Sequence, residues 1–551
     1  MKNKITALIS LLISFLVFIQ PLSAETKNLL VKPTLDVVKD ILKKNREFRE
    51  VDLSNLDLSG FDLSMSDIRN SSITGSILKK ARLTDSILIS SDMSDSDLRF
   101  AELTGVKIEN STLTGADLRD ANLTCLVSMS NIMKGVNFSG ANLRYGMIRD
   151  TDLSGAVMSN ANLSFTFIRS DLSNADLTKA DMHGAYLTDV RLINANMSEV
   201  NLSAAKMDDV NMKGSEKNHV ILTKANLSYA AIDASKMDYA RLNGAYMNGI
   251  YMKKADLNYA DLSYANISNA LIIKSELNKA DLKYAVFTNS SLEGIEFKGA
   301  DMSYADLKKT DLTDAVMTGA IMASVDLSGA DLSRGNLKNV NMIAAKIVNA
   351  KLTGAELTGV VLDSADLSGT DLSGANLKNA NLSGATIEGV KLDDADLSGA
   401  VLDGAIIKNI NLNNTVLIGV SLKKVDLNYF DLSGLRMSRV NLTGSFLNRA
   451  NLSNADLSGA VLTECDLREA DLAGADLNGT NLSGAILKDA SLKGSNLRNA
   501  ILVNANMAGA DLDGADIRGA DFSGVDVSQL KNFDLAKNPE KAKGLNFAVP
   551  E

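Results

Sequence analysis

The chain contains no tryptophan, two histidines, two cysteines and four prolines among its 551 residues, and aromatic side chains make up only 5% of it. A core built from this stock cannot rest on large rings. It must rest on many small, repeated aliphatic contacts. The two histidines, His183 and His219, are far apart in sequence and have no ligand-spaced cysteine or aspartate beside them, so no zinc site is expected. Phosphate-binding loops, nucleophile elbows and dinucleotide fingerprints are missing as well, which leaves no cofactor and no enzyme class indicated. A basic excess is also lacking. The net charge is -10, whereas a general nucleic-acid binder needs clustered Lys and Arg to meet phosphates.

Beyond the first twenty residues there is no long apolar run, so no stable membrane insertion of the remaining chain is expected. The N-terminus itself has the layout of an export signal. Lys2 and Lys4 form a positive start, residues 5–19 are apolar, and Ala24 ends a plausible cleavage region. The predicted signal peptide is 1–24, and the expected location of the mature chain is the periplasm or the exterior. Losing Lys2 and Lys4 would leave that chain at a net charge of about -12.

What is present in abundance is one short pattern. Read in fives from Val51, the chain gives Val51, Asp52, Leu53, Ser54, Asn55, then Leu56, Asp57, Leu58, Ser59, Gly60. Large aliphatic centres follow every five residues from Leu53 to Ile168 and, after one missing residue, from Leu172 to Val527. Of these 96 centres only Ser128 and Lys217 are not Leu, Ile, Met, Phe or Val. A period of five fits neither an amphipathic helix nor a long flat strand. Position one is small, position two is often Asp or Asn, position three is the large residue, and positions four and five are Ser, Thr, Lys, Asn or Gly. Positions one and three share a face, as alternate residues of an extended segment do. Positions four and five then turn the chain. Each unit is therefore a very short strand plus a bend.

The pattern Ala-Asp/Asn-Leu-Ser/Thr-Gly resembles the pentapeptide repeat family, over 51–529. The resemblance implies an all-β solenoid, a right-handed quadrilateral β-helix with four units per coil. On that count 96 units make about 24 coils, a rod of ~115 Å at strand spacing. The open ends need covers. Residues 25–50 are expected to supply a cap helix and linker, with Thr34 as N-cap and Leu35, Val37, Val38, Ile41 and Leu42 at helical spacing up to about Lys44. Residues 530–551 form the predicted C-terminal cap, with Leu530, Phe533, Leu535, Leu545 and Phe547 available to it. An end cap also offers a place for two copies to meet. Four irregularities stand out: Ser128 in a poor unit, the frame slip at 168–172, Lys217 in a unit expected to bulge outward, and Phe430 with Leu435 where Ala is normal.

Most of the remaining chemistry is architectural. Asp recurs at position two because the repeat demands a small outward polar residue, and acid–base work needs two carboxyls in different environments. Triplets such as Asn122, Leu123, Thr124 match a glycosylation acceptor, but the repeat generates them unaided. Cys125 and Cys465 lie about 17 coils apart, ~80 Å along the rod, far beyond the ~7 Å a disulfide allows.

One constellation differs. Tyr264, Tyr284 and Tyr304 are twenty residues apart at position five, so they stack on one corner. Tyr239 and Tyr259 stack on the neighbouring corner. Asp261, Asp281 and Asp301 occupy the face between, and Lys254 and Lys274 form a ladder one corner further back. Tyr offers a flat apolar face with a polar tip. The strip is either a binding surface or a product of repeat duplication whose stacked rings stabilise the ladder. The reading carried forward is a non-enzymatic exported structural or binding scaffold facing a protein or a polysaccharide. Two alternatives come from the family resemblance: a DNA mimic that inhibits a topoisomerase, and a secreted effector acting in a host cell.

Overall fold

The computed structural model describes residues 30–213, 219–412 and 414–545. The expected signal peptide, most of the unit 215–219 and Phe547 lie outside the described residues.

The local rule that makes a coil is visible in one unit. The position-two carboxylate of Asp52 accepts the backbone N–H of Ser54 at 2.9 Å. Where position four is Ser, its hydroxyl donates to the same oxygen, as Ser263 does to Asp261 at 2.6 Å. This is an Asx turn, and it explains why position two is Asp or Asn rather than any small polar residue. Position five then adopts positive φ, as at Gly60 (67°), Asn55 (55°) and Tyr264 (59°), and the next unit's position-one N–H returns to the position-three carbonyl, as Ala81 does to Leu78 at 2.9 Å.

Coils then pair in parallel at a step of twenty residues. Leu53 N–H donates to Ser72 O at 2.7 Å, and Ser72 N–H donates to Val51 O at 3.0 Å. On one face the position-two to position-four segments form a sheet of twelve three- to six-residue strands, from β1 (Glu47–Arg49) through β5 (Val127–Met129), β6 (Met147–Asp152), β7 (Phe167–Asp171) and β8 (Tyr186–Thr188) to β12 (Leu271–Ile273). β13 (Thr386–Glu388) and β14 (Ile406–Lys408) pair on another face. The whole is a parallel β-solenoid, with position-one Ala and position-three Leu, Met, Ile or Phe filling its interior.

For reference, the coil 250–269 has corners at Lys254, Tyr259, Tyr264 and Asn269, called corners one to four. Faces one to four are the segments that precede them (251–253, 256–258, 261–263 and 266–268). Face one carries the twelve-stranded sheet.

Among the described residues one α-helix, α1 (Leu35–Lys44), sits at the first coil, with Asp36 in its first turn and Lys43 and Lys44 in its last, matching the helix dipole. Val38 is buried, and Ile41 and Leu42 pack on the core. Leu35 and Val37 are exposed, because the inward stripe runs through 38, 41 and 42 and Val37 falls off it. At the other end, Lys531, Lys537 and Lys543 pair with Asp511, Asp516 and Asp521, and the turns at Phe533–Leu535 and Pro539–Lys541 lengthen the step. Phe533 meets Phe522 edge to face at 6.4 Å. Leu530 and Leu545 pack there as well, whereas Leu535 points to solvent.

The irregularities resolve individually. Ser128 does not break the ladder: Ile108, Ser128 and Ile148 remain in register. Its buried hydroxyl receives a hydrogen bond from Asn131 Nδ2 at 2.9 Å and lies 3.1 Å from Thr151 Oγ1. The missing residue is absorbed between β6 and β7, where Arg149 pairs with Arg169 but Asp152 pairs with Asp171, a step of nineteen. Across 196–236 the step is instead twenty-five, as in Asn211 with Lys236. The five extra residues add no rung, so this coil spends five units where its neighbours spend four. Near Phe430 and Leu435 the stack opens. Among the described residues the pairing of Ile406 with Asp426 is missing, although Val401 still pairs with Ser421 and Val416 with Arg436. Phe430 and Leu435, the bulky position-one residues here, are partly buried against the core, and over-packing of this kind displaces neighbouring backbone.

Candidate functional site

Corner residues are the ones best placed to present chemistry. Their positive φ aims the side chain outward and the twenty-residue step stacks like on like. At corner three the rings of Tyr264 and Tyr284 lie 4.8 Å apart at 8°, and those of Tyr284 and Tyr304 lie 5.0 Å apart at 6°. At corner two, Tyr239 and Tyr259 stack at 4.8 Å and 3°. Tyr264, Tyr284 and Tyr304 are 65%, 43% and 55% exposed. These rings use their faces on one another. What they show to solvent is a row of edges and hydroxyls one rung apart, with a free face only at the ends of each stack.

Face three lies between the two ladders. Asp261, Asp281 and Asp301 pair rung to rung along it. All three are half-buried and each is engaged: Ser263 and Ser303 hold Asp261 and Asp301 in Asx turns. Lys283 Nζ bridges Asp281 at 3.2 Å and Asp301 at 3.1 Å. Burial pushes the Asp301 carboxyl up, but the Ser303 hydrogen bonds and Lys283 outweigh it and hold the group below its usual range. The Asp301 hydrogen bond, followed by that of Asp281, raises Lys283. At corner two Lys279 continues the ladder, with Nζ 5.2 Å from the Tyr259 ring centroid and donating to its hydroxyl at 3.3 Å. Lys254 and Lys274 stand exposed at corner one, and neither forms an ion pair among the described residues.

The structure thus brings the five tyrosines and three aspartates onto one wall and leaves Lys254 and Lys274 a corner away. The sequence reading missed Lys279 and Lys283, which decide the wall's charge. Both were open to the same arithmetic: Lys279 is twenty residues after Tyr259, and Lys283 is two after Asp281.

The thiols are both free. Cys125 is exposed, while Cys465 is buried with its Sγ donating to Leu442 O at 2.8 Å. Burial pushes the Cys465 thiol up to about 12. Among the described residues no helix is long and apolar enough to cross a membrane.

The family model for pentapeptide repeats matches in overlapping stretches between residues 47 and 529, with interruptions that include 127–136 and 217–234. No curated protein matches significantly. Among solved structures, QnrB1, a plasmid-mediated fluoroquinolone resistance protein, is 21% identical over 33% of this chain and 89% of its own, with a TM-score of 0.30. HetL, involved in heterocyst differentiation regulation in the cyanobacterium Nostoc sp., is 23% identical over 51% of this chain and 95% of its own, with a TM-score of 0.15. A protein of the Arabidopsis thaliana thylakoid lumen is 36% identical over 18% of this chain and 68% of its own, with a TM-score of 0.08.

Proposed function

The chain belongs to the pentapeptide repeat family, and from that premise we propose that it is an exported, non-enzymatic binding scaffold whose partner docks on the wall formed by corners two and three. The observation that carries this reading is the pair of stacked Tyr ladders flanking face three, with Lys283 clamped between Asp281 and Asp301. Export rests on Lys2, Lys4 and the apolar stretch 5–19. The ring geometry favours a protein over a polysaccharide. A sugar packs on an aromatic face, and here the faces are taken, whereas edges, hydroxyls and a clamped lysine suit a polar protein surface.

A photo-crosslinking residue in place of Tyr284 tests this. It should link the mature protein to one partner in producing cells, and the same residue in place of Ala344, on the same corner row, should not. Equal yields at both positions, or none at 284, remove the wall as the docking surface.

One observation favours a second reading. Between 356 and 403 the chain has nine acids and two bases, a density that suits mimicry of a nucleic acid. A supercoiling assay in which micromolar protein leaves a topoisomerase unaffected would remove it.

A further inference from the structure

The opposite wall carries a second aromatic cluster, five coils earlier, that the proposed docking wall does not use. At corner four the rings of Tyr145 and Phe165 stack at 5.6 Å and 20°, and His183 meets Phe165 edge to face at 5.3 Å. The guanidinium of Arg144 lies 4.6 Å from the Tyr145 ring centroid and 5.5 Å from that of Phe165. Tyr145 and Phe165 are 50% and 39% exposed. Around the corner, face one continues the patch: Val127, Met147, Phe167 and Tyr186 are successive partners in β5 to β8 and all project outward. Arg149 ends β6's first three residues on that face. In a chain of net charge -10, Arg144 and Arg149 form no ion pair among the described residues, and each buried Nε has no hydrogen-bond partner. Tyr and Arg are the residues enriched where protein contacts carry their energy, and a half-buried guanidinium without a carboxylate calls for one.

The same chain holds the complement in the same places. Following the corner rows rung by rung, Glu388 occupies the position on face four that Arg144 occupies, and Asp393 occupies the position on face one that Arg149 occupies. Glu388 and Asp394 are exposed and Asp393 half-buried, and none of the three forms an ion pair among the described residues. Ile406, exposed one coil beyond Thr386, supplies an apolar neighbour.

We propose that these two patches bind each other between two copies of the chain, in an antiparallel side-by-side dimer along corner four and face one. The symmetry argument is simple. A two-fold axis in the contact plane, perpendicular to the rods, reverses their direction but keeps corner four opposite corner four and corner one opposite corner one. Arg144 then meets the partner's Glu388, and Arg149 meets the partner's Asp393. The two-fold forms both contacts twice, which a closed isologous pair requires. This dimer is distinct from one formed through an end cap and independent of the tyrosine wall on the opposite side.

Sedimentation equilibrium of the full mature chain tests it. At about 50 mM NaCl the protein should be a dimer, weakened roughly tenfold or more at about 500 mM, since the contact is charge-led. The full chain carrying Arg144→Glu with Arg149→Glu should be monomeric, as should Glu388→Lys with Asp393→Lys. Mixed in equal amounts, these two should restore a dimer, because each then offers the charge the other lacks. Circular dichroism confirms that both variants remain folded. A wild-type monomer at all salts, a dimer indifferent to both double substitutions, or a mixture that stays monomeric would each overturn the proposal. Tyr284→Ala should leave dimerisation unchanged, so failure of the docking wall and failure of this contact are told apart.

Discussion

Removing the middle ring of the corner-three ladder measures what the stack contributes. Tyr284 contacts Tyr264 at 4.8 Å and Tyr304 at 5.0 Å. An aromatic pair is worth about 0.5–1.5 kcal/mol beyond its area, so Tyr284→Ala should cost about 1–3 kcal/mol locally. Tyr264→Ala, with one neighbour ring, should cost about half of that. Tyr284→Gly should recover roughly 1 kcal/mol of the loss, because φ is 60° at this corner and glycine adopts that conformation without steric cost. Global melting is a poor assay, since a solenoid's stability is a sum over neighbouring coils. Native-state hydrogen exchange is suitable, read at the Tyr284 amide bonded to Ser303 O at 3.1 Å and the Tyr304 amide bonded to Ala323 O at 2.9 Å. If Tyr284→Ala and Tyr264→Ala accelerate exchange equally, or neither does, the rings contribute nothing to the ladder, and the stacking account is wrong.

Other consequences follow from the same geometry. Position-two carboxylates such as Asp326, Asp331, Asp371 and Asp396 are held below the ordinary value of 3.8: burial raises them, but the Ser hydrogen bonds and nearby Lys outweigh it. A depressed folded-state value stabilises the fold above the unfolded value and is lost as pH falls, so melting should be flat from about pH 7 to 5 and drop steeply below about 4; an unchanged melting temperature at pH 3 would contradict this. Asp238 behaves oppositely. Burial, then Asp256, holds its carboxyl above the usual range, and Oδ1 has no hydrogen-bond partner. Its raised value means stability is lost as pH rises through it, so Asp238→Asn should stabilise by about 1 kcal/mol at neutral pH and less at acid pH. Phe430→Ala together with Leu435→Ala should let Ile406 and Asp426 pair, relieving about 1–3 kcal/mol of over-packing and slowing exchange of the Asp426 amide; faster exchange would show that the bulky residues fill a need. Iodoacetamide should modify one thiol in the native protein, Cys125, and a second only in denaturant, because burial keeps Cys465 protonated.

The strand-plus-bend unit was legible in the sequence because its cause is local: a period of five, held from Leu53 to Val527 but for one missing residue, fits neither a helix nor a long flat strand, and the four-unit coil followed from the family resemblance. Stacking of Tyr264, Tyr284 and Tyr304 followed from counting twenty residues. What could not be read was anything settled by a neighbour on another rung. Ser128 looked like a defect until Asn131 and Thr151 supplied its hydrogen bonds from the same and the following coil. Asp281 and Asp301 could be placed on one face, but not the Lys283 bridge that closes on both. The Asx turn at each Asp52-type position is a third case, in which outward polarity was expected but the backbone bond behind it was not. The opening near Ile406 depends on how far Phe430 and Leu435 push two coils apart, a matter of packing volume rather than pattern.

The account stands or falls first on where the protein works. Fractionating producing cells and sequencing the N-terminus of the recovered protein is the direct measurement. The account predicts a chain beginning at Glu25 outside the cytoplasm, where a scaffold can meet its partner. A full-length chain retained in the cytoplasm would contradict it and would bring the acidic coils between 356 and 403, not the tyrosine wall, to the front.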